Sequence, residues 1–330
     1  MSEVFHLQEI SLDEWDTHWL HVPKANLLQS WQYGTAKEQA EGWRVLRFLV
    51  SDCSGKPFAL VQILIKSLPF LGGIARLNRG PLLLEKLPDE QTIENVLNIL
   101  QVLLREACKR HWWMMQIAPE LPINKKVVKG LMEMGLRQRQ EPAWASGRLA
   151  LSVGEDSLVM GFNGKWRNCL RKGERLGVTV SRNNGTGADL DLLVRNYLDL
   201  QRSKSFQGLS EALIRRLAAQ HGKAWEFNLF FARTTIESTS EEPIGILVTI
   251  RHGDTATYLI GSTSDKGRHM QANSVLLWRA ILHAKESGCA WFDIGGLSDI
   301  TPKGVAEFKK GIMATPYALV GEWRWYYRPW

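Results

Sequence analysis

The sequence predicts an α/β protein built from two related domains, and three observations support this fold class. Strand-like and helix-like segments alternate along the chain, their order recurs in the second half, and 330 residues suffice for two hydrophobic cores. Apolar residues make up 45% and charged residues 23%, which excludes disordered and collagen-like chains. The segment SGRLAL (146–151) is a candidate boundary between the domains.

The first half contains a strand pair, a long helix and a further strand. β-rich runs at 44–50 and 57–65 flank a turn at 52–55, and a short strand follows at 74–78. Over residues 91–111 the apolar side chains recur at helical spacing, which predicts an amphipathic helix of about five turns. WMMQI (113–117) is typical of a buried strand, and the next helix ends at Gly135.

The second half repeats this order of elements. A helix over about 156–176 leads into a strand at 178–181, and helices follow at 189–203 and 210–221. Strands are predicted at 226–233, 243–252 and 255–261, the last two joined as a hairpin by the turn at 252–254. A helix over 272–287 and a strand at 291–295 complete the repeat. In each half, a strand that opens with tryptophan thus follows the long helix.

Several classes of location and site are excluded by bulk features. The four cysteines lie far apart without a CxxC pair, which argues against a zinc ribbon and indicates a reducing compartment. The acidic N-terminal segment does not resemble a signal peptide, and no apolar run approaches the roughly 18–20 residues of a membrane span. We therefore expect a cytoplasmic protein.

P-loop, HExxH and GxSxG motifs are absent, and the histidines lack metal spacing, so we expect neither a metal site nor a cofactor.

A first candidate segment for chemistry lies at residues 27–37. Gln29 and Ser30 can cap a short helix that brings Trp31 and Lys37 close together, and a lysine there suits a phosphate group. A surface lysine without function is the alternative. The net charge of +7 permits an anionic partner but does not require one.

A second candidate is the helix over 162–177. An apolar face is expected to pack inward, formed by Phe162, Trp166, Cys169, Leu170 and Gly173. Five cations fall within eleven residues, offset only by Glu174: Lys165, Arg167, Arg171, Lys172 and Arg175. Such a stripe suits a diphosphate or a nucleic-acid backbone, with a solvated helix face as the alternative.

The third candidate lies near the C-terminus. Asp293 ends a strand, and Gly295-Gly296 lets other backbone approach closely. Carboxyl ends of strands are where α/β proteins place their sites. Lys309 follows in a short helix, where it could stabilise negative charge on an acyl oxygen or bind the 3′ end of a nucleic acid, or form part of a surface lysine pair.

These segments, taken in order, resemble the FemABX family of aminoacyl-tRNA-dependent peptidyltransferases. LLQSWQYGTAKEQAEGW (27–43) resembles its first signature, GKWRNCLRKGERLGV (164–178) its basic helix, and residues 258–296 with EFKKG (307–311) its C-terminal signature. The resemblance covers nearly the whole chain. It implies two tandem GNAT-like domains, each a mixed sheet flanked by helices, without the coiled-coil insertion of larger members. The domains would span 1–148 and 149–314, with the tail 315–330 returning to the first.

The resemblance also implies a reaction, namely transfer of an amino acid from aminoacyl-tRNA to an amine of a peptidoglycan precursor. Lys309 and Phe308 would meet the tRNA 3′ end and support the transition state, and Asp293 is a candidate for positioning the amine. Acceptor binding would fall to Tyr258 in the acceptor channel and to a group at the diphosphate end and its surroundings: Lys37, Arg167, Lys165, Arg171 and Trp31. The partners would be charged tRNA and a UDP- or lipid-linked muropeptide, with peripheral contact to the inner membrane face. We expect a monomer.

Departures from the family pattern leave two alternatives. Trp166 stands where the family often has threonine, and Arg171 where some members have tyrosine, so the acceptor could belong to exopolysaccharide or natural-product synthesis. A CoA-dependent GNAT acyltransferase is the other enzyme class. Its pyrophosphate loop, Q/R-x-x-G-x-G/A, corresponds to residues 268–273, where Arg268 is kept but Gln271 and Asn273 replace glycine or alanine.

Overall fold

Two mixed sheets organise the chain, one in each of two units. The structure is a computed structural model and describes residues 5–68, 72–234 and 242–327. Unit 1 comprises residues 1–145 and 317–330, and unit 2 comprises residues 146–316. The last three residues of the tail, 328–330, lie outside the described residues.

Unit 1 is an eight-stranded sheet with helices. Its strands are β1 (Phe5–Glu9), β2 (Arg44–Asp52), β3 (Pro57–Leu68), β4 (Gly72–Asn78), β5 (Leu82–Leu83), β6 (Trp112–Ala118), β7 (Arg137–Gln138) and β15 (Trp323–Tyr326). Its α-helices are α1 (Leu12–Trp19), α2 (Trp31–Glu41), α3 (Asp89–Lys109) and α4 (Lys125–Glu133). The strand order is β1-β2-β3-β4-β6-β15-β7, with β5 beside β3. Among the described strands of unit 1, only β4 and β6 are paired in parallel.

The core of unit 1 forms where the apolar stripe of α3 packs on the sheet. The stripe contains the fully buried Ile99, Leu100 and Leu103, which cluster with Phe48, Ile63 and other strand residues. Burying each such side chain contributes about 1.5–3 kcal/mol, so this interface is a main source of stability. The predicted amphipathic helix is confirmed, at 89–109.

Unit 2 repeats this arrangement with a seven-stranded sheet. Its strands are β8 (Ala145–Ala150), β9 (Val178–Asn183), β10 (Trp225–Thr234), β11 (Gly245–His252), β12 (Thr255–Thr263), β13 (Trp291–Asp293) and β14 (Thr315–Ala318). Its helices are α5 (Glu155–Gly161), α6 (Gly164–Arg175), α7 (Gly187–Lys204), α8 (Glu211–Ala218), α9 (Asp265–His269), α10 (Ala272–Glu286) and α11 (Lys303–Lys310). The strand order is β14-β8-β13-β12-β11-β10-β9.

The predicted fold class is confirmed, and the two units share a topological element. In each, a parallel strand pair is joined through a long helix, as β4–α3–β6 in unit 1 and β12–α10–β13 in unit 2. The longest helix in the described part of unit 2 has 18 residues. None of the helices in the described ranges combines the length and apolarity that crossing a membrane requires.

Some elements differ from the prediction. The helix predicted over 156–176 is two helices, because Phe162 adopts extended backbone and the Asn163 backbone N–H donates to the Gly311 carbonyl. Asn163 then caps α6 by accepting from the Lys165 N–H. Trp113 was predicted to open a buried strand, yet its side chain is 41% exposed, whereas Trp112 is buried. The register between β4 and β6 shifts here, because Gly73 pairs with Trp112 and Ile74 with Met114. Trp113 is the extra residue of this bulge, and its side chain turns outward.

Candidate functional site

Strands β12 and β13 run together for three residue pairs and then part, and the gap between them is the centre of the site. Their pairing ends at Thr257 and Asp293. Gly295 follows with φ of +69°, and a side-chain carbon on it would lie 2.6 Å from the Tyr258 carbonyl oxygen. Only glycine permits this close approach without strain. The predicted role of Gly295 in close backbone packing is confirmed.

The Lys309 ammonium group is buried in this gap. Lys309 is 6% exposed, and its Nζ lies 4.6 Å from the centre of the Tyr258 ring. It also donates to the Gly296 carbonyl at 3.4 Å. The structure thus brings together two residues that are 51 positions apart in the sequence and were both candidates. A cation over an aromatic face is stabilised by the ring quadrupole.

Burial changes the acid–base properties of both groups. It lowers the pKa of Lys309 from 10.5 to about 8, and the negative charge of Asp293 offsets part of that effect. Burial also raises the pKa of Tyr258 to about 12, although the residue as a whole is only partly buried. At neutral pH the site therefore presents a cationic amine that can give up a proton, next to a neutral phenol.

Asp293 is held by a network of its own. Its Oδ1 accepts from the Ser146 hydroxyl at 2.5 Å and from the Gly295 N–H at 2.9 Å, and Arg148 Nε lies 3.8 Å from its Oδ2. The Ser146 hydroxyl also lies 3.0 Å from the Gly295 carbonyl. These contacts fix the turn after β13, so the structure gives Asp293 a structural role and an electrostatic one toward Lys309.

Phe308 lines a cavity of about 630 Å³ between α6, α11 and the α9–α10 junction, which neither Lys309 nor Tyr258 lines. Its ring stacks on Trp166 with a centroid distance of 6.2 Å. The rim carries three cations and one carboxylate, from Lys165, Arg268, Lys310 and Glu307. A groove with aromatic walls and a mainly basic rim fits a ligand that carries rings and phosphates.

The basic stripe of α6 is divided between two places. Lys165 lines the large cavity, whereas Arg167 and Arg171 line a smaller one of about 300 Å³. Within the stretch 165–175 only Glu174 offsets these charges, but Glu155 and Asp156 of α5 line the same small cavity and add further negative charge there. Arg167 Nη1 donates to the Met160 carbonyl at 2.7 Å, which orients its guanidinium toward α5.

Trp31 and Lys37 belong to α2 in unit 1. Ser30 caps this helix by accepting from the Tyr33 N–H, as predicted, whereas Gln29 is buried and bridges the Gln62 and Asn78 carbonyls. The Trp31 ring lies 3.8 Å from the Arg47 guanidinium carbon.

Lys37 is paired rather than free, because its Nζ donates to Glu41. Burial acts to raise the pKa of Glu41, but hydrogen bonds from Lys37 and Trp43 and the charges of Lys37 and Lys66 bring it below the usual range. A phosphate bound at Lys37 has to compete with this carboxylate.

Several residues that build the site were not predicted. Ser146 and Arg148 lie on β8 in the segment interpreted as a linker, and Arg47 lies in a strand whose alternation gives no hint of its contact with Trp31. Gly261 was also missed: a side chain there would collide with the Tyr258 hydroxyl, so Gly261 makes room for that ring.

Among the described residues, no group of three or more His, Cys, Asp or Glu side chains is placed to hold a metal ion.

Comparisons with known proteins agree with this architecture. Residues 162–310 match the family described as "Acetyltransferase (GNAT) domain". No curated protein matches the chain. Among solved structures, FemX is similar with a TM-score of 0.79 at 16% identity, covering 98% of this chain and 97% of that chain.

Two further solved structures share the fold at lower similarity. A tandem GNAT protein from the clavulanic acid biosynthesis pathway has a TM-score of 0.56 at 12% identity, covering 99% of each chain. L-PGS from Bacillus licheniformis has a TM-score of 0.52 at 12% identity, covering 89% of this chain and 86% of that chain. The chain as a whole therefore has the fold of FemX, and its residues 162–310 are similar to the GNAT acetyltransferase domain family.

Proposed function

We propose that this protein is an aminoacyltransferase that moves an amino acid from aminoacyl-tRNA to an amine of a peptidoglycan precursor. The GNAT domain supports an acyltransferase. The observation that carries the proposal is the buried Lys309 ammonium against Tyr258, beside a cavity walled by Phe308. The resemblance of the three sequence segments to the FemABX signatures supports the choice of donor and acceptor.

The proposed chemical step needs only groups that the two substrates and this site supply. The neutral acceptor amine attacks the ester carbonyl, a peptide bond forms, and the carbon–oxygen bond to the tRNA ribose breaks. The amine loses one proton and the departing ribose oxygen gains one. Lys309, protonated about ten to one at pH 7 given its pKa of about 8, stabilises the oxyanion and can donate to that oxygen. Because the ester is already activated, the step requires no metal and no nucleoside triphosphate.

The large cavity of unit 2 is proposed as the donor site. Phe308 and Trp166 offer aromatic faces for the terminal base, and Lys165, Arg268 and Lys310 on the rim suit the phosphodiesters behind it. Charged tRNA is a cytoplasmic molecule, so this donor implies a cytoplasmic enzyme.

The acceptor side is proposed from the resemblance. In unit 2, Tyr258 would line the acceptor channel and Arg167 would bind the diphosphate end, with Arg171 in the same small cavity. In unit 1, Lys37 would bind the diphosphate end, with Trp31 on the same helix. The Lys37–Glu41 pair means that a diphosphate displaces a carboxylate when it binds, which favours a dianionic over a singly charged ligand. A lipid-linked acceptor would bring the protein to the inner membrane face.

A CoA-dependent N-acyltransferase is the second candidate, and one observation favours it. Arg268 and the N-terminus of α10 line the large cavity, in the place that corresponds to a GNAT pyrophosphate loop.

A transfer assay tests the proposal. The protein is incubated with charged bacterial tRNAs and a UDP-linked or lipid-linked muropeptide, and the acylated muropeptide is measured by mass spectrometry. We expect product that disappears after RNase treatment, and a loss of about hundredfold or more in Lys309→Ala. The matched control is Lys303→Ala, an exposed lysine of the same helix, which should keep the wild-type rate. RNase-insensitive transfer, or transfer from acetyl-CoA instead, would overturn the proposal.

A further inference from the structure

We propose that Gln271 and Asn273 determine the donor, because their side chains fill the turn where a GNAT-type diphosphate donor would contact the backbone. The cavity would thereby exclude coenzyme A and leave space for an aminoacyl ester. This inference rests on the proposed function, since it concerns the donor side of the same site.

The backbone of the α9–α10 junction already has the conformation that glycine favours. Gln271 has φ of 60° and ψ of 30°, in the left-handed region, and stands directly before the 15-residue helix α10. Its side chain makes no capping hydrogen bond to that helix. A glutamine in this conformation is strained relative to glycine, so its presence calls for a reason other than stability of the turn.

The side chains of Gln271 and Asn273 are held by hydrogen bonds to neighbouring residues of the junction. Gln271 Nε2 donates to the Arg268 carbonyl at 3.2 Å, and Asn273 Nδ2 donates to Thr263 Oγ1 at 3.1 Å. Both residues line the large cavity. The Arg268 guanidinium donates to the Thr263 carbonyl at 2.9 Å and is paired with Asp265, so two of its donors already have protein partners.

Helix α6 packs closely against the α9–α10 junction, which prevents the backbone of the junction from moving away from a ligand. Gly173 of α6 packs against it so closely that a side-chain carbon would lie 2.6 Å from Val275 Cγ2 and 3.1 Å from the Met270 carbonyl oxygen. Room for a ligand at the α10 N-terminus must therefore come from the side chains of Gln271 and Asn273, not from a shift of backbone.

The two donor classes differ in the contact they need here. A diphosphate gains most from backbone N–H groups at hydrogen-bond distance of about 2.7–3.2 Å, which requires residues without long side chains at the turn. The acyl group of aminoacyl-tRNA is attached to a ribose, with no diphosphate beside it, so its binding does not require that approach. Gln271 and Asn273 obstruct the first contact and leave the second unaffected.

The test removes the two side chains and measures whether coenzyme A then binds. Coenzyme A is titrated by calorimetry into the wild-type protein and into the double variant Gln271→Gly with Asn273→Ala. We expect no saturable binding to the wild type, and saturable binding to the double variant with an affinity about tenfold or more above the wild-type detection limit. Ser205→Gly is the matched control, since Ser205 has φ of 49° and does not line the cavity. It removes similar backbone strain and should gain no affinity.

The outcomes separate this inference from the proposed function. Wild-type protein that binds coenzyme A as tightly as the double variant would overturn the inference, as would a folded double variant without gained affinity. Circular dichroism verifies folding, and Asn273→Ala alone, with an intermediate gain, is the second variant. The tRNA-dependent transfer assay on the wild type decides the proposed function by itself, whatever the calorimetry shows.

Discussion

At the scale of single residues, Lys309 and Lys310 show how one chemical group takes two roles. Lys309 is buried against Tyr258, whereas Lys310 is exposed on the rim of the large cavity. The sequence EFKKG contains no signal that separates them, and a surface lysine pair was a fair alternative. The FemABX resemblance singled out Lys309 as the candidate. Its burial depends on the parting of β12 and β13, which is a tertiary feature.

Replacing Lys309 by methionine should stabilise the fold at neutral pH. The decrease of its pKa from 10.5 to about 8 corresponds to about 3 kcal/mol of folding free energy, because the folded state disfavours the charged form. This cost is fully present below pH 8 and disappears as pH rises toward 10.5. Urea denaturation of the wild type should therefore show a free energy of unfolding that rises between pH 8 and 10.5.

The Lys309→Met variant should lack this rise and exceed the wild type at pH 7. Lys303→Met on the exposed side of α11 serves as control and should leave the pH profile unchanged. A variant that is less stable than the wild type at pH 7 would show that the contacts of Lys309 outweigh the cost of burying its charge.

At the scale of elements, an irregularity in β12 shapes the site. The register between β11 and β12 shifts at Val248/Thr249, so that Tyr258 and Ile260 face consecutive partners and Leu259 is extra. Such a bulge re-aims the neighbouring side chains. Gly261 makes room for the Tyr258 hydroxyl after the bulge. Bulge and glycine together place the ring next to Lys309.

Gly261→Ala should therefore reduce catalysis more than stability. The added methyl group displaces the Tyr258 ring from Lys309, and we expect a loss of about tenfold or more in kcat with a change in unfolding free energy below about 1.5 kcal/mol. Steady-state kinetics and urea denaturation measure the two effects. Gly161→Ala, where no neighbour lies within 4 Å, is the matched control. Equal activity of both variants would show that the position of Tyr258 is not critical.

The elements themselves were predictable to different degrees. Long helices with apolar periodicity, such as α3, and strands with β-rich runs, such as β2 and β3, follow from local sequence. The break between α5 and α6 does not, because it depends on the bond from Asn163 to the Gly311 carbonyl, 148 residues away. The N-terminal strand β1 and helix α1 were not predicted either, although Ser11 and Glu14 form a capping box.

At the scale of the whole molecule, the last strand of the chain completes the first sheet. β15 pairs with β6 and β7 in unit 1, in the place that β8 takes beside β13 in unit 2. The internal repeat predicts two similar units, but it does not tell which strand of the chain takes the position next to the parallel pair. The expectation that the tail returns to the first domain came from the family resemblance, and the described residues 323–326 lie in that sheet.

Trp323→Ala should consequently destabilise unit 1 and leave unit 2 intact. Trp323 is fully buried in the unit 1 core, and its removal leaves a cavity that costs about 3–5 kcal/mol. Hydrogen–deuterium exchange followed by mass spectrometry should show faster exchange in β6 and unchanged exchange in β11. Tyr326→Ala on the same strand is the control, because its side chain is 36% exposed and its loss should be mild. Equal loss of protection in β6 and β11 would mean that the two cores unfold as one, despite having separate clusters of buried residues.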